Sequence, residues 1–397
     1  RDPDTGEAIG SLQEGAMRLV TKHIPQPDLE ERMAALRYAR DMLHAFGITS
    51  VQEAYAFDPD LETYEALDKQ GKLNLRVVAA LLWDTDKNEE QIATFKKQRE
   101  RYTRGNIRAT SVKVFVDGVM ENYTAVMVEP YLVESGTRGI PMIDPEYMAD
   151  VVSMLDAEGF QVHFHALGDG AVRYALDAVE KAREDNGDTD RRHHLSHLQV
   201  IHPDDIPRFA ELGVIAAMQP THATSDMYWA GERLGAERLA GAYAWKSLAD
   251  SGAQLALGSD FPVEQVEPLL GIYAAVTRQD LEGRPDGGWL PEQRLTREQA
   301  LRGFTIDAAR AAFMENEVGS LEPGKRADIV ALDTLEDYGR ALLGTEIGFE
   351  YQQGWNREKP LGEILDEGLE RHEVKFRRGR EEDRNQQGAG AQQRVDQ

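Results

Sequence analysis

The chain has 397 residues, 41% of them hydrophobic, with no cysteine and a formal net charge of -25. That length suits one large core with a smaller appendage, and the missing cysteines exclude disulfides, thiolate catalysis and thiolate metal sites. The acidic balance argues against a nucleic-acid partner or an anionic membrane surface, because phosphate affinity rests on clustered Lys and Arg, and no apolar run approaches the length of a membrane span.

The first ordered element predicted is a helix in "PDLEERMAALRYARDMLHAFG", with Asp28 as its cap and Gly47 as its stop. "ITSVQEA" follows as a strand, then a helical stretch and the strand "LNLRVVAALLW". Next come "TSVKVFVDG", a helix near 145–158, "FQVHFHALGD" and a helix near 170–184. The series continues with "RRHHLSHLQV", a short helix from Pro203, "GVIAAMQP", a helix near 236–251 and "AQLALGSD". Seven strands alternating with helices predict parallel strands joined by helical crossovers. The last five strands end in polar residues, and in a (β/α)8 barrel that end faces the active site.

A helix over "TREQALRGFTIDAARAAF" is expected next, then a turn-rich run into a strand, "GSLEPGKRADIVALD". Residues 1–315 are assigned to the barrel and 316–335 to part of a β-sandwich satellite domain. No assignment is made for 336–370. The polar, low-complexity end at 371–397 is expected to be a disordered tail. No basic stretch leads into an apolar run at the start, so no secretory leader is read there and a cytoplasmic location is expected.

Several strand ends carry chemistry. In "VKVFVDG" the alternation puts Lys113, Phe115 and Asp117 on one face and three valines on the other. The valines suit the layer between sheet and helices, which points Lys113 into the barrel, where an unpaired ammonium is costly. Three outcomes are open: an ion pair with Asp117, a lowered pKa, or carboxylation by CO₂ to a carbamate that bridges two metal ions. In "VHFHALGD", His163 and His165 are two apart and share a strand face, a common way to hold a metal. In "RRHHLSHLQ", alternation groups His193, Leu195 and His197 opposite His194 and Ser196. His197, nearest the strand's C-terminal end, is the ligand candidate, and Arg192 and His193 are expected to order the strand's start. "LALGSDFPVE" ends a strand on Asp260 after Gly258, whose lack of a side chain allows close backbone approach. Asp260 can bind a metal and accept a proton, or cap the following helix. "AAMQP" brings Gln219 to a strand end, where its amide could orient a substrate or bond a loop.

Six segments in this order, "GITSVQEA", "VKVFVDG", "VHFHALGDGAVRYALDAVE", "LSHLQVIHPDDIPRFAELGVIAAMQP", "LALGSDFPVE" and "GSLEPGKRADIVALD", resemble the amidohydrolase superfamily of metal-dependent hydrolases. The branch they resemble is that of the YtcJ-like proteins, which includes N-substituted formamide deformylase, and the resemblance spans roughly residues 1–332. It implies an α/β fold, a (β/α)8 TIM-type barrel with a small β-rich satellite domain. It also implies that Lys113 is the carboxylated, metal-bridging lysine, that His165 and His197 are metal ligands, and that Asp260 is both ligand and catalytic base. His163, Asp169 and Gln219 then take supporting or substrate-side roles. The superfamily's opening His-x-His and first strand have no counterpart here, so the expected barrel lacks its first strand.

What the resemblance implies is hydrolysis of a C–N bond in a small amide or formamide, with one or two divalent ions, Zn²⁺ given the His and carboxylate ligands. A small-molecule substrate is expected and no nucleic acid or membrane partner, with a homo-oligomer left open. The alternative is a truncated, inactive remnant or a binding protein on the same scaffold. A mononuclear deaminase is a weaker rival, because it would give Lys113 no metal role.

Overall fold

In the computed structural model, which describes residues 5–7, 10, 12, 14–133 and 135–330, the expected alternation is present. A single turn, α1 (Arg18–Thr21), precedes α2 (Leu29–Ala45), β1 (Ser50–Ala56), α3 (Asp58–Lys69), β2 (Arg76–Leu82) and α4 (Gln91–Tyr102). Then come β3 (Ile107–Phe115), α5 (Pro145–Ala157), β4 (Gln161–Ala166), α6 (Asp169–Asn186), β5 (His194–His197), α7 (Ile206–Leu212) and β6 (Ile215–Met218). The described elements end with α8 (Pro220–Asp226), α9 (Ala230–Leu239), α10 (Trp245–Asp250), β7 (Gln254–Leu257), α11 (Pro268–Thr277), α12 (Arg297–Phe304) and α13 (Ile306–Ala311). None of the described helices is long and apolar enough to cross a membrane.

Local chemistry explains the element ends. Asp28 accepts a hydrogen bond from the Glu31 amide while the Glu31 carboxylate accepts from the Asp28 amide, a reciprocal cap that satisfies two otherwise orphaned donors of α2. Thr296 and Gln299 repeat this pattern at the start of α12.

All seven strands of the described residues are parallel and pair in chain order, β1 to β7. Four steps across a flat sheet would separate β1 from β5 by about 19 Å. Gln52 of β1 nevertheless lies 3.2 Å from the His194 ring of β5. The sheet is therefore curled into an open, barrel-like trough, an arrangement consistent with a TIM-type barrel. Val112, Val114 and Val116 are buried on its outer face against the helices, as their alternation with Lys113 requires.

The N-terminal mouth of the trough is stoppered by α13 and the residues after it. Gln161 donates to the Ala311 carbonyl at 2.8 Å and Gln254 to that of Asp307 at 3.2 Å. Ala311 packs with Ile215 and Ala256, and Val78 with Ala309, Met314 and Val318. This closure leaves the C-terminal ends of the strands as the accessible mouth.

Two helices are shorter than expected. The helix read over 236–251 is interrupted, because Gly241 and Tyr243 turn away to bond the chain after β5: Ile201 donates to Gly241 and Tyr243 to Gln199. A side chain at Gly241 would meet the Ile201 carbonyl at 2.2 Å, so only glycine fits that approach. The long helix after β7 breaks at Thr305 (φ -126°, ψ -99°) into α12 and α13. Of the satellite segment assigned to 316–335, the described part forms turns and irregular backbone, with Lys325 bonded to Glu322 and Arg326 to Glu317. The strand expected at its end is not formed in the described residues up to Val330, and the rest of that segment, the unassigned 336–370 and the tail at 371–397 lie outside the described residues from 331 onward.

Candidate functional site

The pairing register stacks the inward side chains in layers. Lys113 of β3 pairs with His163 of β4, and His163 with His194 of β5. One layer toward the C-terminal mouth, Phe115 pairs with His165 and His165 with Ser196. His163 bonds Ser196 through Nε2 and packs its ring 4.2 Å from that of His194. It therefore supports the floor of the site, one layer below His165.

His197 departs from the strand pattern. His193 and Leu195 do face outward, and His193 ties the start of β5 to the helix layer by accepting from the Val162 amide and contacting Asp156. Simple alternation would send His197 outward with them. Instead His197 (φ 79°) and Leu198 (φ 52°) adopt left-handed backbone, which is costly for a residue with a side chain and concentrates at functional sites. The turn swings the His197 ring inward, 4.6 Å from His165. Gln219 receives it there, its Oε1 lying 3.0 Å from His197 Nδ1. That contact fixes the tautomer with hydrogen on Nδ1 and leaves Nε2 as a lone pair, the state a metal ligand needs. Gln219 thus orients a histidine.

Asp260 follows β7, also in left-handed backbone (φ 57°), and places Oδ2 3.8 Å from His197 Nδ1. Gly258 does not supply the close approach read from sequence, since nothing lies within 4 Å of where its side chain would be. A residue missed in the sequence joins the group. His222, the third residue of α8, lies 3.9 Å from Asp260 Oδ2 and stacks on His197. Its signal was the short run Gln219-Pro220-Thr221-His222, which places a second polar side chain one helical turn from Gln219.

Lys113 is 3% exposed and makes no hydrogen bond or ion pair among the described residues. Burial lowers its pKa to about 7, against the attraction of Asp260. Burial, then the positive charge of Lys113, holds His165 well below the usual histidine value. Burial and then His165 do the same for His197. Burial pushes Asp260 upward, more than Lys113 pulls it down. The cluster is thus dominated by uncharged rings with free lone pairs.

The ion pair of Lys113 with Asp117 is not formed, because Asp117 is committed elsewhere. Its carboxylate accepts from the amides of Val126 (2.8 Å), Leu167 (3.1 Å) and Gly168 (2.9 Å). Asp169, at the start of α6, accepts from the Val128 amide at 2.7 Å and pins the same loop. Asp169 therefore shapes the wall of the site from behind. Asp117→Ala would strand three buried amides, and an expected loss of roughly 3 kcal/mol or more follows from the cost of unmade buried hydrogen bonds. Urea unfolding of the variant measures it, and Asp117→Asn, which keeps one acceptor oxygen, is expected to lose less.

A second buried carboxylate gives stability a pH dependence. Asp226, at the end of α8, is raised to about 7 by burial, against hydrogen bonds from Tyr243 and Gln199. Between the ordinary value of 3.8 and about 7 the folded chain then holds a proton that the unfolded chain has lost. This group's contribution is present below that window and is lost as pH rises through it. Unfolding free energies taken from pH 4 to 8 are expected to show that decline, and Asp226→Asn to flatten it.

Among the described residues, no three His, Cys, Asp or Glu side chains already converge as a metal cage. The donors nevertheless fit a divalent ion in kind. Two neutral imidazoles and a carboxylate share one mouth, one ring is oriented from behind by Gln219, and the buried amine of Lys113, which feels Asp260, has no hydrogen bond or ion pair among the described residues.

Residues 1–342 match the sequence model of the amidohydrolase family. The protein LONG AFTER FAR-RED 3 of Arabidopsis thaliana is 32% identical over 361 residues, covering 87% of this chain and 61% of its own length. The YtcJ protein of Bacillus subtilis is 30% identical over 332 residues, covering 82% and 61%. N-substituted formamide deformylase of Arthrobacter pascens is 25% identical over 346 residues, covering 83% and 61%. The chain thus spans about three-fifths of the length of these relatives. A metal-dependent hydrolase from Pyrococcus furiosus superposes with a TM-score of 0.67 at 27% identity, over 80% of this chain and 63% of that one. With the parallel sheet and its mouth of histidine, lysine and aspartate, this match over most of the length establishes that the chain belongs to the amidohydrolase family.

Proposed function

We propose that the protein is a metal-dependent hydrolase that cleaves the C–N bond of a small amide or formamide. The observation that carries this reading is Lys113, buried beside two neutral histidines and Asp260, its Nζ over the Phe115 ring and without a hydrogen bond or ion pair among the described residues. A neutral amine, unlike an ammonium, attacks CO₂ to give a carbamate. Burial keeps a large neutral fraction of Lys113 at physiological pH. His165, His197, Asp260 and carboxylated Lys113 would hold the metal, with zinc the ion best suited to this nitrogen and carboxylate set. A bound divalent ion supplies Lewis-acid charge that makes water acidic near neutral pH.

The chain's own residues do the rest. Asp260 accepts the proton of the attacking water and returns it to the nitrogen as the C–N bond breaks. His197 is held in register by Gln219, so its lone pair needs no reorganisation during turnover. His163 and Ser196 close the floor beneath His165. The likeness to N-substituted formamide deformylase directs the substrate choice to formamides and related amides. The test is elemental analysis of the purified protein with formate release from N-alkylformamides before and after chelation. Bound zinc and chelator-sensitive release are expected; a metal-free protein that still turns over would overturn the reading.

A further inference from the structure

The placement of His222 leaves its ring nitrogen Nε2 without a hydrogen bond among the described residues. The residue is 9% exposed, and its ring runs within 19° of parallel to His197 at a centroid distance of 5.9 Å. Among the described residues Nε2 is buried without a hydrogen-bond partner, and it stands 3.9 Å from Asp260 Oδ2, beyond hydrogen-bond reach. A buried polar atom left unpaired in a native fold points to a partner supplied from outside the chain. The placement is also anchored from behind. At the far end of α8, Asp226 accepts from the Tyr243 hydroxyl and, at 2.8 Å, from Gln199 Nε2. Gln199 accepts in turn from the Met120 amide at 3.2 Å. The helix bearing His222 is thereby tied to the segment that bears His197. Facing a carboxylate oxygen, the ring is more stable presenting N–H than a lone pair, so Nε2 is the donor.

We infer that His222 donates from Nε2 to the carbonyl oxygen of the substrate amide and stabilises the negative charge that develops there. The inference rests on the hydrolase reading above and adds a residue to it. Water forms the new C–O bond, its proton passes to Asp260, and the π pair of the carbonyl moves onto the oxygen facing His222. Collapse restores the carbonyl, breaks the C–N bond and sends the proton to the departing nitrogen. A donor aimed at that oxygen gains strength as the charge grows, so it acts on the chemical step more than on binding.

The test uses the metal-loaded full chain, with formate release from an N-alkylformamide as the rate. Binding of the matching N-alkyl phosphonamidate, a stable tetrahedral mimic, is the second readout. His222→Ala is expected to lower kcat by about 100-fold, the scale of losing one oxyanion donor, with KM changed only a few-fold. Phosphonamidate affinity falls in step and bound metal is unchanged. His222→Gln, whose amide offers an N–H near the same point, is expected to recover part of both losses. Full activity in His222→Ala would overturn the inference alone, as would loss of bound metal together with activity, which would make His222 a ligand. An active-site role is also overturned if phosphonamidate affinity stays at the wild-type value. Wild-type protein that turns over no amide would overturn the hydrolase reading and this inference with it.

Discussion

Lys113→Ala is expected to strip the protein of bound metal and to lower kcat/KM by at least ~100-fold, the upper range for losing even an indirect support of a metal site. Lys113 is 3% exposed and has no hydrogen bond or ion pair among the described residues, so an ammonium there is destabilised and its pKa sits at about 7. The proposed carboxylation would convert this cation-bearing side chain into an anionic oxygen donor beside two neutral histidines and Asp260. Alanine removes both the amine and the carbamate. Metal content and activity should fall together, and a short carboxylic acid added to the variant should restore part of each by occupying the space. Incubation of the wild type with ¹³C-bicarbonate should yield a carbamate resonance that the variant lacks. Unchanged metal in the variant would leave Lys113 as a lone buried amine and sink the bridging role.

The second large effect is expected at the proposed base. Asp260→Asn should lower kcat by roughly 10²–10⁴-fold, the range that general acid–base catalysis contributes. Its fold should survive, for two reasons. The Asp260 side chain is 30% exposed at the mouth, so little packing depends on it. Its left-handed backbone, φ 57°, is one that asparagine adopts about as readily as aspartate. Thermal unfolding should therefore be nearly unchanged while turnover collapses. A variant that keeps wild-type turnover would exclude Asp260 as the base.

Much of the site was legible because strand alternation is a strong constraint. Once Val112, Val114 and Val116 are assigned to the helix side, Lys113 has no choice but the interior, and that is where it lies. His163 and His165 share an inward face for the same reason, and the register shows that they occupy different layers. Alternation failed at His197, where two successive left-handed residues reverse the expected face. Its place at the strand's C-terminal end and the family resemblance pointed to that residue, while alternation pointed it the wrong way. His222 was not read at all, because a histidine early in a short helix carries no periodic signal. Its meaning lies in its distance to Asp260, 38 residues further along the chain.

Asp117, Asp169 and Gln219 carry a related lesson. Each is an acid or amide at a strand end or helix start, the place where chemistry is expected. Each instead spends its oxygens on backbone amides or on a neighbouring ring. Composition and position cannot distinguish a carboxylate that meets substrate from one that holds a loop, since the two differ only in what reaches them in space.

By itself, the sequence determined the architecture and the chemical vocabulary: seven parallel strands, the inward identity of Lys113, His163 and His165, the absence of thiolate chemistry, and the family. The strands, the inward residues and the missing thiolates follow from periodicity and composition, and the family from the likeness of six short segments, all of them local properties of the chain. Tertiary structure alone decided which of those groups meet. The curl that brings β1 to β5, the backbone reversal that turns His197 inward, the commitment of Asp117 to three amides and the approach of His222 to Asp260 all join residues distant in sequence. Such contacts are set by packing and hydrogen-bond satisfaction across the whole sheet, so no window of sequence contains them.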